Sequence, residues 1–313
     1  MKHKFLSITL VISLIFGMTA CQAKPVSEEL PTLPQYPVTI NETIISERPV
    51  RIATISPAMT DLIYGLGFGG RIVGVGDGSV ISSGDETDEF DVENIGTLME
   101  LNMSEIKHCK PDILFTHTQL TDDQLRKLQQ MYVTVVVIPF AQTIDEVFTN
   151  YETVSKIMLG ETDGKAYSDA KIERYKYLLE KVSSVSKSSG EGTKSIYIRM
   201  YPLTLATGDT FENYILTDVL GFENLASKYD NWKYPMEEST TLEPELILYH
   251  DSIDAPTILE DAMYKTTSAA QNNKVLDVRG DYFERRSPQM FMELVRIAYE
   301  LYPTEMPEDL ANI

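Results

Sequence analysis

Two segments of the chain end in the same way. Lys110-Pro111-Asp112-Ile113-Leu114-Phe115-Thr116-His117 and Glu243-Pro244-Glu245-Leu246-Ile247-Leu248-Tyr249-His250 each run from a proline and an acid through an apolar stretch to a histidine. Imidazoles placed so in two halves of a chain are candidate ligands for one metal centre, approached from opposite sides. The alternative is a pair of strand-end residues satisfied by ordinary hydrogen bonds. Other groups suit an anionic, ring-bearing ligand: Arg199 and Arg285 for charge-assisted hydrogen bonds, and Tyr201, Trp232 and Tyr282 for packing on a macrocycle or catechol. Ser56-Pro57 and Ser287-Pro288 read as helix starts, whose free N–H groups attract anions. The sequence holds no GxSxG elbow, P-loop or HExxH, and two histidines make no triad. Binding is therefore expected, without catalysis and without a resident cofactor; the rival reading is an α/β enzyme that uses the same cleft.

The elements that must carry these residues follow from the same stretches. An unbroken apolar run after a proline suits a parallel strand covered on both faces. Arg51–Ile55 is a further strand, and Ser56-Pro57 opens a helix through Met59, Leu62, Ile63 and Leu66. Gly65-Leu66-Gly67-Phe68-Gly69-Gly70 matches GxGxxG, but it ends a helix and precedes the strand Arg71–Val75, the reverse of a dinucleotide fingerprint. Ile144, Val147, Phe148, Tyr151, Val154 and Ile157 recur at helical spacing, as does the stretch around Lys165–Val182 beyond Gly160. Ser183–Gly192 reads as a polar loop before a strand near Ser195. The expectation is α/β: an N-terminal lobe over 50–142, a helical connector over 143–190 and a similar C-terminal lobe over 191–313. Parallel sheets face a shallow, nearly preformed cleft between the lobes.

The N-terminus adds a location. Lys2 and Lys4 precede an apolar run from Phe5 to about Met18, and Met18-Thr19-Ala20-Cys21 looks like a lipoprotein cleavage box. Residues 1–20 are expected to be a signal peptide and Cys21 a lipidated N-terminus, so the protein would lie outside the cytoplasm, anchored through lipid alone. Residues 22–37 hold four prolines among Ser and Glu and read as an extended tether, leading through 49 into the first strand. Cys109 is the one remaining cysteine and reads as a buried small hydrophobe. The formal net charge of −20 argues against nucleic acid as a partner. The chain is expected to be a monomer.

Strand, Ser-Pro, helix, glycine-rich end and Val73-Gly74-Val75, then a helix before Lys110-Pro111-Asp112-Ile113-Leu114, together resemble the cobalamin and iron-siderophore binding proteins of ABC importers. The similarity resumes at Thr207-Gly208 through Leu220-Gly221-Phe222-Glu223-Asn224-Leu225. It closes on Asp281-Tyr282-Phe283-Glu284-Arg285-Arg286-Ser287-Pro288, close to the Asp-Trp-Phe-Glu-Arg-Ala-Ser-Pro of cobalamin-binding members. The resemblance spans residues 50–303. It implies two lobes with one rigid inter-lobe helix, a permease with ATPase subunits as partners, and a metal chelate as ligand. It also implies one docking glutamate per lobe: Glu237 fits the C-lobe position, while Ser104 holds the N-lobe position with Glu105 and Glu100 nearby. Aromatics of the cobalamin pocket fall here on small or aliphatic positions around Gly78 and Leu98, and Arg199 adds positive charge. A ferric siderophore or haem is thus expected ahead of a corrinoid.

Overall fold

The computed structural model describes residues 36–79 and 92–310. The expected signal peptide, Cys21 and the expected tether up to residue 35 lie outside the described residues. A hairpin of β1 (Val38–Ile40) and β2 (Thr43–Ile45) leads in, with Val38 and Ile45 buried. The N-terminal lobe then runs β3 (Ile52–Thr54), α1 (Pro57–Ile63), β4 (Ile72–Val75), β5 (Glu93–Asn94), α2 (Met103–Cys109), β6 (Ile113–Thr116), α3 (Asp122–Gln130) and β7 (Thr134–Val137). Two helices follow, α4 (Ile144–Leu159) and α5 (Glu161–Gly190). The C-terminal lobe runs β8 (Lys194–Met200), β9 (Thr204–Leu205), α6 (Phe211–Tyr214), β10 (Glu223–Asn224), β11 (Leu246–His250), α7 (Ala255–Leu259), α8 (Ser268–Gln271), β12 (Val275–Val278), α9 (Gly280–Glu284) and α10 (Pro288–Leu301).

Each lobe carries a parallel sheet. The N-terminal order is β5-β4-β3-β6-β7 and the C-terminal order β10-β8-β11-β12, with β9 antiparallel to β8 at one end. In both sheets the lobe's first strand lies between its neighbours β4 and β6, or β10 and β11, so the repeated proline-led segments occupy equivalent inner strands. All of β6 and residues Leu246–Tyr249 of β11 are buried, as helices on both faces require.

The glycine-rich end of α1 is a turn into β4, as its place between helix and strand implies. Gly65 has a second duty: a Cβ there would lie 2.7 Å from Pro288 Cδ, so the end of α1 meets the start of α10 at a distance only glycine allows. Gly160 takes φ +94° and breaks α4 from α5.

One expectation needs correction. Ser183–Gly192 is no loop, because α5 continues to Gly190. Serine is a weak helix former, but tertiary packing overrides it here. Val182 and Ser186 are buried, the Ser186 hydroxyl donates to Leu220 O at 2.6 Å, and Lys187 Nζ donates to Asp218 O at 2.8 Å.

Aromatic rings from three helices fill the junction of the lobes. Tyr175 of α5 stacks on Phe291 of α10 at 4.6 Å, and Tyr151 of α4 meets Phe291 edge-on at 6.3 Å. The Tyr151 hydroxyl then donates to Arg286 O at 3.0 Å. The core thus reaches the turn between α9 and α10, which forms one wall of the site.

Candidate functional site

A cleft of about 550 Å³ opens between the lobes, at the carboxyl ends of β8 and β11 and the start of α1. Six residues singled out from the sequence line it: Ser56, Pro57, Arg199, Trp232, His250 and Arg285. Ser56 caps α1 through its hydroxyl, which accepts from Met59 N at 3.3 Å, with Pro57 in the first turn. Arg199 leaves the end of β8, lies over the Trp232 ring at 4.7 Å and pairs through Nε with Glu284 at 3.1 Å. Its side chain remains 44% exposed.

Trp232 is set by an unusual backbone. Asn231 and Trp232 both take positive φ, +56° and +60°, which L residues seldom adopt outside specific turns. The turn is held because Asp209 accepts from Asn231 N and the Thr207 hydroxyl accepts from Trp232 N at 2.9 Å. Local strain of this kind gathers at functional sites.

Three sequence candidates lie elsewhere. Tyr201 turns away from the cleft and donates its hydroxyl to Asp261. Tyr282 sits on the exposed side of α9, under the Arg279 guanidinium at 5.7 Å. His117 lies beneath Phe140, whose ring stacks on it at 3.8 Å, beside a cavity of only about 10 Å³.

The two histidines therefore do not face one centre. His117 Nδ1 donates to Ile138 O at 2.7 Å, which leaves the lone pair on Nε2, buried and without a partner. Burial, with a smaller contribution from Arg286, lowers its pKa to about 4, so the ring is neutral. His250 Nδ1 accepts from Ser252 N at 3.0 Å, and its ring packs so closely on Gly280 that a Cβ there would collide with it. Among the described residues, no three His, Cys, Asp or Glu side chains gather into a metal-binding group.

Arg285 is tied on two sides. Nη1 reaches Asp61 of α1 at 2.7 Å and Nη2 reaches Asp281 at 2.5 Å. Burial raises the Asp61 carboxyl and the Arg285 contact opposes that shift. The second expected helix start is also committed to packing: Pro288 rests on Gly65, and the buried Ser287 hydroxyl makes no capping bond.

The cleft also contains residues that the sequence reading passed over. Arg286 stands where the quoted family pattern has alanine, and it takes φ +54°. Its Nε donates to Ala141 O at 3.1 Å, its Nη1 to Glu284 O at 2.6 Å, and its guanidinium lies over Phe211 at 4.6 Å. That departure from alanine was a visible signal. Phe140 follows β7, a strand end like the others. Glu212 shares a helical stripe with the buried Ile215 and Leu216, and a carboxylate on such a stripe is itself a signal.

Of the expected docking residues, Glu237 is exposed on the turn Met236–Thr241, beside Met236 at 60% exposure. Glu100 is exposed beside Met99, itself 90% exposed, and Glu105 is half-buried in the first turn of α2. All three lie outside the cleft lining. No helix among the described residues is long and apolar enough to cross a membrane.

Two α/β lobes, one long helix and a cleft at the strand ends define a solute-binding protein. The family model of the periplasmic binding proteins matches residues 52–282, and the chain belongs to that family. It is 25% identical over 287 residues to an uncharacterised ABC transporter substrate-binding lipoprotein of Bacillus subtilis, YvrC, covering 87% of this chain and 88% of the relative. It is 22% identical over 257 residues to the Fe(3+)-citrate-binding protein YfmC of the same organism, covering 78% of each. A possible iron-binding periplasmic solute-binding protein of Staphylococcus epidermidis has the same fold. Its TM-score is 0.65 at 20% identity, over 82% of this chain and 100% of that one.

Proposed function

We propose that this protein captures an anionic metal chelate, a ferric siderophore or haem, outside the cytoplasm and delivers it to an ABC permease and its ATPase subunits. The observation that carries this reading is Arg199: a guanidinium stacked on Trp232, paired on one edge and half open to the cleft. Such a group offers its remaining N–H donors to a ligand carboxylate or catecholate without first being ordered. A relative named for ferric citrate adds support. A space of about 550 Å³ is in the usual range for small-ligand sites. In this reading Glu237 engages the permease from the C-terminal lobe and Glu100 or Glu105 from the other, while a lipid on Cys21 holds the chain at the membrane.

Trp232 is the sole tryptophan, so its fluorescence reports on the cleft. Titration with ferric citrate, a ferric tricatecholate, haemin and cyanocobalamin is expected to give saturable quenching by an anionic chelate, with the chelate recovered unchanged. Quenching by cyanocobalamin alone, or by none of the four, would overturn the reading.

A further inference from the structure

Glu212 enters the cleft wall from α6 with its side chain 1% exposed. Oε1 stands 3.8 Å from Arg286 Nη2, beyond hydrogen-bond reach, and Oε2 meets no donor. A buried, unpartnered carboxyl oxygen is costly, and this one borders the space where ligand would sit.

Its surroundings explain why no neighbour satisfies it. Tyr197 and Arg199 face it from β8, Glu284 from the end of α9 and Arg286 from the turn before α10. Glu284 is fully engaged, accepting from the Tyr197 hydroxyl at 2.8 Å and pairing with Arg199. Arg286 directs its closest bonds to backbone carbonyls. Burial pushes the Glu212 carboxyl up to about 7, while Arg286, and more weakly Arg199, pull it down. Those two cations keep the ionised form accessible. A ligand oxyanion beside them would take over their field and repel a second negative charge at Glu212.

Resting on the anionic-chelate reading, we propose that Glu212 is the specificity-determining residue of the cleft: it meets the chelate as the neutral acid, its carboxyl O–H donating to a ligand oxygen, so that capture takes up one proton. The proton comes from the buffered solvent, whose buffer acid releases it, and no covalent bond to the ligand forms or breaks. The residue thereby favours ligands that present an anionic oxygen over those that present a donor.

Calorimetry with ferric citrate, in two buffers of different ionisation enthalpy, counts the protons, and titrations between pH 6 and 8.5 give the affinity. Both are run on the wild type and on Glu212→Gln, with melting temperature as the folding control. Changes in ferric citrate's own speciation are common to both proteins and cancel in the comparison. The wild type is expected to take up about one proton more than the variant near pH 8. Its affinity should fall by up to ~tenfold per pH unit above pH 7 relative to the variant. Equal slopes and equal proton counts overturn the inference alone. So does loss of binding at every pH in a variant that melts normally, which would make Glu212 an obligate anion. If that variant does not fold, Glu212→Ala replaces it in the same comparison, and equal proton counts overturn the inference. Absence of wild-type binding to ferric citrate, the ferric tricatecholate and haemin at pH 6 overturns the anionic-chelate reading, and this inference with it.

Discussion

Arg285, in the turn after α9, reaches across to Asp61 of α1 and bonds its carboxylate at 2.7 Å, so an ion pair joins the two lobes at the edge of the cleft. Both side chains are largely shielded, at 21% and 17% exposure. Breaking one partner of such a pair leaves the other charge underground, which costs more than the pair's net contribution. Arg285→Gln is expected to lower stability by roughly 1–3 kcal/mol and to change chelate affinity little. Denaturant melts and Trp232 titrations on the same preparation check both. A normal melt with a large loss of affinity would return Arg285 to the role of ligand contact.

Arg199 should behave in the opposite way. Its pairing with Glu284 and Trp232 leaves donors facing the cleft, and both of these partners lie in the C-terminal lobe. Arg199→Gln is expected to weaken binding of an anionic chelate by the loss of about 1.5–3 kcal/mol, or roughly ten- to hundred-fold. The melting temperature should stay close to the wild type. Unchanged affinity for ferric citrate, the tricatecholate and haemin would remove Arg199 from the site.

These two arginines show what the sequence could reveal. Ser56-Pro57 and the proline-led inner strands are encoded locally, by capping chemistry and by apolar run length, and so was the strand-end position of Arg199. The fate of neighbouring side chains depends on contacts far along the chain. Tyr201 is two residues beyond Arg199, but the turn after β8 carries its hydroxyl to Asp261. His117 is at the expected strand end, yet Phe140 from the segment after β7 covers it. Arg285 reads from sequence as a ligand contact because nothing near it announces Asp61, 224 residues away. Glu212 and Arg286 carried signals, a carboxylate on a buried stripe and an arginine in place of alanine, but their meaning comes only from being side by side.

Glu237 offers a separation of binding from transport. It is exposed and lies on the turn Met236–Thr241, away from the cleft lining. Glu237→Ala is expected to leave the dissociation constant unchanged and to slow chelate uptake by cells. A charged contact at an interface rim acts mainly on association, so the deficit should shrink as salt rises in reconstituted transport. A collapse of ligand affinity with permease binding intact would reject the assignment.

The proposed lipid anchor is Cys21, in the segment Met18-Thr19-Ala20-Cys21. A diacylated cysteine holds a protein at a membrane stably, whereas a single chain does so only marginally. Cys21→Ala is expected to release the protein or leave it unprocessed, as fractionation and the mass of the N-terminal peptide would show. A normally processed mutant that stays in the membrane fraction would contradict the lipid anchor.

The buried carboxyl of Glu212 also predicts how the ligand-free fold responds to pH. In the folded chain burial holds its pKa up to about 7, against an ordinary value of 4.5 when unfolded. Between those values the folded protein keeps a proton that the unfolded chain has released. Stability from this group is therefore fully present below pH 4.5 and is lost as pH rises through 7. The linkage amounts to roughly 3 kcal/mol across the window. Glu212→Gln keeps the shape and removes the titration, so the variant should match the wild type near pH 4.5 and exceed it above pH 7.5. Contributions from the other carboxylates, Asp61 among them, cancel in the difference between the two proteins. Denaturant melts at pH 4.5, 6 and 8 measure that difference directly. A gap of the same size at all three values would mean that Glu212 does not titrate in this range.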